Sequence, residues 1–141
     1  ERKLDYVFID CPPSLGLLTV NALAAAGEVF IPIQCEYYAL EGVQLLLRNI
    51  DLIRKHLNPG LTVSTMLMTM FDGRTRLSQE VEENVRRHFG EQVFRTVIPR
   101  TVRLAEAPSY GESVLTYAPT SHGAQAYRAL AEEVLERVSQ G

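Results

Sequence analysis

Strand-length apolar runs alternate along this chain with stretches of helical period, and that alternation is what most constrains its fold. Such a pattern predicts an α/β fold, a mostly parallel sheet flanked by helices. Tyr6-Val7-Phe8-Ile9 is a continuous apolar run ending at Asp10, as expected for a strand buried on both faces. Leu15 to Ala26 reads as a helix stopped by Gly27, and Val29 to Ile33 as a second strand closed by Pro32 and Gln34. The next helix brings Val43, Leu46, Leu47, Ile50, Ile53 and Leu57 to one face and ends before the breaker Asn58-Pro59-Gly60. Val63 to Thr69 supplies a third strand, and Val93 to Ile98 a fourth, ended by Pro99.

Between those last two strands lies the best-marked helix, Ser78 to Phe89, with Leu77, Val81, Val85 and Phe89 four residues apart. Glu80, Glu82 and Glu83 crowd its first turns and Arg86, Arg87 and His88 its last, an order that offsets the helix dipole at both ends. Residues 99–122 read as irregular, with a short turn at Val102–Ala107. The final helix is expected to bury Tyr127, Leu130, Ala131, Val134, Leu135 and Val138. No repeat, low-complexity tract or linker interrupts residues 1–141, which read as a single domain or part of one.

Composition narrows the function classes. With 46% hydrophobic and 22% charged residues the chain has the balance of a globular protein, and no apolar run is long enough to span a bilayer. Cys11 and Cys35 cannot build a disulfide framework and lie at no metal-ligand spacing, so both read as space-filling residues. His56, His88 and His122 are scattered, with no Ser or Cys constellation beside them. The net charge of −3 gives no global attraction to nucleic acid, yet residues 71–110 hold seven arginines against six acids. From charge alone, the reading of that local balance is ordinary solvated helix faces. The start, Glu1-Arg2-Lys3-Leu4-Asp5, reads as a cut inside a longer protein.

An apolar strand that delivers Asp10 to the carboxyl edge of a parallel sheet puts a carboxylate where nucleotides bind in such folds, able to hold Mg²⁺ through water. Taken alone, an Asp there reads first as a cap on the helix that follows. Asp10 opens the stretch Cys11-Pro12-Pro13-Ser14-Leu15-Gly16, and Ile9 through Gly16 resembles the Walker B and switch II segment of ParA/Soj chromosome- or plasmid-partitioning ATPases. Three more stretches match that family in its order: Pro32 to Gly42, Thr69 to Thr75, and Val97 to Gly111.

The resemblance implies the C-terminal portion of a deviant Walker A P-loop NTPase fold. It implies that Asp10 is the catalytic Walker B carboxylate and Mg²⁺ site, and that Cys11, Pro12 and Pro13 respond to the nucleotide's γ-phosphate. Thr69 and Met70, with Pro99, Arg100 and Thr101, would border the adenine of ATP. Arg74 and Arg103, with Arg100 beside them, would contact DNA without reading sequence, the alternative being ion pairs to Asp72 and Glu106. The implied protein is a cytoplasmic, nucleoid-associated DNA-segregation ATPase, an ATP-dependent homodimer stimulated by a ParB-like partner. A MinD-type membrane-associated cell-division ATPase is the nearest alternative. It is disfavoured by the acidic final helix, which lacks the basic amphipathic character of a membrane-surface helix. A non-catalytic interaction module is the third reading.

A P-loop needs Gly-x-x-x-x-Gly-Lys-Ser/Thr, and the two lysines here, Lys3 and Lys55, follow no glycine. The 141 residues are therefore expected to bind ATP weakly and not to hydrolyse it alone. The family's remaining strands would flank the Asp10 strand, so without them that edge is expected to invite self-association.

Overall fold

The computed structural model describes residues 4–12 and 16–140. Three strands, β1 (Glu28–Gln34), β2 (Thr62–Phe71) and β3 (Val93–Pro99), form a sheet in the order β1-β2-β3, with β2 and β3 parallel. Helices α1 (Leu17–Ala25), α2 (Ala39–His56) and α3 (Arg76–Phe89) alternate with the strands. After β3 come α4 (Val102–Glu106), α5 (Val114–Tyr117) and α6 (His122–Gln140). The mostly parallel α/β sheet expected from the alternation is present.

The chain divides into two compact units, Glu1–Val29 with Gln44–Ser64, and Phe30–Val43 with Thr65–Gly141. In the first, Leu23, Ile50, Ile53 and Leu61 are buried. Asn58 closes the end of α1: its Nδ2 donates to the carbonyls of Leu23 (3.0 Å) and Ala26 (2.7 Å), two of the acceptors a helix end leaves open. The strand expected at Tyr6–Ile9 does not form; residues 4–12 join none of the three strands. Val7 and Phe8 are 73% and 82% exposed. A strand persists only where a neighbour takes its backbone groups, and no strand among the described residues pairs with this run.

The second unit holds the carboxyl ends of all three strands. Its core packs Leu67, Phe94, Ile98 and Leu130 with Leu104, Ala126 and Val134, and a second cluster joins Ala107, Val114 and Ala124 to Leu104 and Tyr117. Helix α3 starts as its sequence dictates: the Thr75 hydroxyl accepts from the Ser78 amide at 3.3 Å, and Gly90 ends the helix at φ 53°. The stretch after β3 is more regular than the sequence suggested. Thr101 caps α4 by accepting from the Leu104 amide at 3.3 Å, and a 3₁₀ turn over Ala107–Tyr110 leads to α5.

Helix α6 turns a different face inward from the one expected. Leu130 is buried, but Leu135 and Val138 are exposed, and the acid Glu133 is only 4% exposed. Its carboxylate accepts the backbone N–H groups of Arg95 (2.8 Å) and Thr96 (2.9 Å). Arg137, one turn on, donates to the carbonyls of Glu91 (2.9 Å) and Val93 (3.1 Å) and lies over the Phe94 ring at 4.4 Å. From α3, Arg86 donates to the carbonyls of Phe94 (3.0 Å) and Arg95 (3.2 Å). The outer edge of β3 is thus covered by side chains rather than by a strand, which removes a template for pairing with another chain.

Candidate functional site

In the second unit the strand ends meet at the carboxyl edge. The Cys35 amide donates to Thr69 O at 3.0 Å, Thr69 Oγ1 to Ile33 O at 3.2 Å, and the Arg100 amide to Phe71 O at 2.8 Å. Thr69 to Phe71 therefore lies between the ends of β1 and β3. Buried Ser78 Oγ donates to Cys35 O and accepts from the Asp72 amide, both at 3.4 Å, tying the loop after β2 back to β1. Met70 has φ 53°, the left-handed region that a side chain enters at a cost of about 1 kcal/mol or more. It falls where the β2–β3 register shifts, between Met68↔Val97 and Phe71↔Pro99. Such irregular residues recur beside functional sites because they re-aim the side chains next to them.

The arginines named from the sequence lie on the two loops that follow. Arg74 makes a two-pronged pair with Asp72, Nε to Oδ1 at 2.9 Å and Nη2 to Oδ2 at 2.8 Å, while its amide donates to Oδ1 at 3.1 Å. Those side-chain and backbone hydrogen bonds from Arg74, with the more distant field of Arg100, hold the Asp72 carboxyl at a pKa of about 2. Arg74 is nevertheless 90% exposed along its side chain. Arg103 Nη1 lies 3.1 Å from Glu106 Oε2, which also accepts from the Tyr117 hydroxyl at 3.2 Å. Tyr117 in turn stacks on exposed Tyr110, with ring centroids 4.9 Å apart. Arg100 Nη2 sits 3.9 Å from Glu36 Oε1, both exposed. The ion pairs offered as the alternative for Arg74 and Arg103 are therefore present, on side chains that solvent still reaches.

Thr69, Met70, Arg74, Pro99, Arg100, Thr101 and Arg103 thus share one unit, at the ends of β2 and β3. Asp10, Cys11 and Pro12 belong to the other unit and are exposed, and Pro13 lies outside the described residues. Cys11 therefore does not fill space, whereas Cys35 does: burial pushes its thiol up to about 11, with Glu82 adding to the effect. No group of three or more His, Cys, Asp or Glu among the described residues could enclose a metal. A lone carboxylate such as Asp10 still fits Mg²⁺, which keeps most of its ligands as water and nucleotide phosphate. Reading the sequence for motifs passed over Ser78, Glu36 and the Tyr110–Tyr117 stack. The Thr75-x-x-Ser78 spacing of a helix start was the available signal for Ser78.

A parallel sheet flanked by helices, with irregular loops at its carboxyl edge, is an architecture this chain shares with solved P-loop ATPases. Cobyrinic acid a,c-diamide synthase from Mycobacterium smegmatis, solved with bound ADP and magnesium, superposes with a TM-score of 0.70 at 37% identity, over 92% of this chain and 46% of that one. A plasmid partition protein from Borrelia burgdorferi superposes with a TM-score of 0.57 at 25% identity, over 82% of this chain and 44% of that one. A family model described as an AAA domain matches residues 1–63. The chromosome-partitioning ATPase Soj of Thermus thermophilus is 60% identical over 140 residues, 99% of this chain and 56% of its own. The sporulation initiation inhibitor protein Soj of Bacillus subtilis is 54% identical over 134 residues, 95% of this chain and 53% of its own. Over nearly its whole length, then, the chain is more than half identical to Soj chromosome-partitioning proteins. It spans about half the length of the curated relatives it matches.

Proposed function

We propose that this chain supplies the metal side and the adenine side of a DNA-segregation ATPase that works as an ATP-dependent dimer on nonspecific DNA. The observation that carries this reading is the 2.8 Å bond from the Arg100 amide to Phe71 O, which sets Thr69, Met70, Pro99 and Arg100 on one carboxyl edge. That is the edge at which parallel α/β sheets take nucleotides. Bound Mg²⁺ supplies charge neutralisation at the phosphates. Asp10 would hold the ion through its water, and Cys11, Pro12 and Pro13 would respond to the γ-phosphate. The ends of β2 and β3 flank the base, with Thr101 fixing the start of α4 as it does so.

Exposed arginines on loops suit a partner that is all phosphate: they bind without base readout and lose affinity steeply with salt. Arg74, Arg100 and Arg103 fill that role, on a cytoplasmic protein gathered at the nucleoid and stimulated by a ParB-like protein. Residues 1–141 form part of one ATPase domain and contain no phosphate-cradling loop, so they do not turn over ATP alone. The test is ATP binding and turnover with Mg²⁺ and nonspecific DNA. It compares this chain with one that also carries a phosphate-binding loop ahead of residue 1. Turnover by the longer chain only, abolished by Asp10→Ala, is the expected result. Tight ATP binding by the 141 residues alone would refute it.

A further inference from the structure

Two of the three arginines assigned to DNA already hold a carboxylate, Arg74 in the two-pronged geometry by which a guanidinium also takes phosphate and Arg103 through a single contact. Asp72 presents both oxygens to the Arg74 fork at 2.8 and 2.9 Å, and Glu106 presents one to Arg103 at 3.1 Å. A planar guanidinium takes carboxylate and phosphate in the same two-pronged manner, so the two anions compete for the same donors. The carboxylates are well held. Asp72 is fixed by the Arg74 amide at 3.1 Å, and its own amide is fixed by Ser78; Glu106 is fixed by the Tyr117 hydroxyl at 3.2 Å. The arginines are the more exposed partners, with 90% and 60% of their side chains exposed against 21% and 39% for the carboxylates.

We propose that Asp72 and Glu106 are built-in phosphate mimics that occupy Arg74 and Arg103 and thereby limit how tightly this face grips the DNA backbone. The inference rests on the DNA-binding reading above and adds its regulation. Each arginine contributes to DNA only after exchanging an internal carboxylate for a phosphate. Affinity is held down, and a complex that forms dissolves readily, because the displaced carboxylate stays within reach to recapture its arginine. The arrangement also keeps the local charge near neutral until a phosphate arrives, in a chain whose net charge is −3. The Tyr117–Tyr110 stack extends the Glu106 lock to the surface, since any contact that moves Tyr110 acts on the hydroxyl that orients Glu106.

The test uses isosteric, charge-removing variants of the longer chain that also carries a phosphate-binding loop ahead of residue 1, with ATP and Mg²⁺ present. Asp72→Asn keeps an oxygen for the Arg74 amide, and Glu106→Gln keeps one for Tyr117. Affinity for a random-sequence duplex is measured against salt concentration, alongside Arg74→Ala, Arg103→Ala and Glu80→Gln. The last removes an equal charge from an exposed pair with Arg76 on α3 (2.7 Å) and controls for generic electrostatics. Freeing one arginine for one phosphate is expected to tighten binding about five- to tenfold near 0.1 M salt and to steepen the log–log salt slope by about 0.9. Glu80→Gln is expected to leave the slope unchanged. Asp72→Asn is expected to lose its gain in the Arg74→Ala background.

Binding by Asp72→Asn and Glu106→Gln no tighter than wild type, while the arginine variants weaken it, overturns the mimic and keeps the DNA reading. Equal binding by wild type and both arginine variants overturns the DNA reading, and the mimic with it. So does the absence of binding by every protein, including the Asp72→Asn/Glu106→Gln double variant. Circular dichroism on each variant separates a lost lock from a lost fold.

Discussion

Replacing Glu133 by Gln removes one charge and almost no volume from the centre of the α6–β3 contact, and the cost follows from what the carboxylate holds. It accepts the amides of Arg95 and Thr96 at 2.8 and 2.9 Å and Arg137 Nη2 at 3.2 Å, in a residue 4% exposed. Burial alone would raise its pKa, but the amides of Arg95 and Thr96, the Thr96 side chain and Arg137 outweigh it and bring the group to about 2, from 4.5. Since the folded pKa is depressed, the linked stability is fully present above the ordinary value and is lost as pH falls from about 4.5 to about 2. At about 1.4 kcal/mol per pH unit the shift corresponds to roughly 3 kcal/mol at neutral pH. Gln retains one acceptor oxygen for two amides and turns an NH₂ toward the other, leaving a buried donor unpaired at about 1–3 kcal/mol. Urea unfolding of wild type and Glu133→Gln should therefore differ by about 2–4 kcal/mol at pH 7 with unchanged m-values. The gap should close toward pH 2.5. A gap below about 0.5 kcal/mol at pH 7, or one independent of pH, would mean that the carboxylate is not what holds α6 to β3.

Three further outcomes follow from single contacts. At Met70, φ 53° disfavours branching at Cβ, so Met70→Ile should destabilise by about 1 kcal/mol or more relative to Met70→Gly; equal stabilities would remove the case for strain there. At Gly123 an added Cβ would meet Leu104 Cγ at 2.7 Å, so Gly123→Ala should lose about 1–3 kcal/mol despite better helix propensity. Adding Leu104→Ala should cost less than the sum of the two single changes, and strict additivity would place the clash elsewhere. Asn58→Ala strips the two donors from the end of α1 and should cost about 1–2 kcal/mol, read by urea unfolding, with faster amide exchange confined to α1; uniform exchange would contradict a local cap.

The three strands were legible because each is a strand-length run rich in apolar residues; Pro99 is the last residue of β3, whereas Pro32, expected to help close β1, lies within it. Helix α3 was legible because Leu77, Val81, Val85 and Phe89 recur four residues apart, basic residues crowd its last turn and Gly90 stops it. The inward face of α6 was not. Counting apolar residues assumes that charges face water, and Glu133 faces inward because β3 exposes two adjacent amides whose existence depends on strand register. Helix α4 was legible only as a short turn at Val102–Ala107 and α5 not at all, because five and four residues are too few to display a helical period. At the site, the strand-end residues could be named from motif and strand order alone. The pairing of Arg74 with Asp72 was visible as a possibility, since two residues of loop separate nothing, but its two-pronged geometry was not. The Tyr6–Ile9 run shows the limit most plainly: an apolar sequence specifies a need for cover, not the cover itself.

Register connects the far side of the sheet to the site. Paired residues of β2 and β3 are offset by 27 at Met66↔Val93, by 29 at Met68↔Val97 and by 28 at Phe71↔Pro99. The extra residues in β3 open the step and the extra residue in β2, within which Met70 takes its positive φ, takes back half of it. Both irregularities are needed to bring Phe71 opposite Pro99, the pairing that carries the Arg100 amide to Phe71 O. Glu133 and Arg86 satisfy backbone groups of Phe94, Arg95 and Thr96, the stretch of β3 in which the first irregularity falls. A buried acid on the last helix is in this way part of what aligns the loops bearing Arg74 and Arg100, although it touches neither, and the strain at Met70 is the local cost of that alignment.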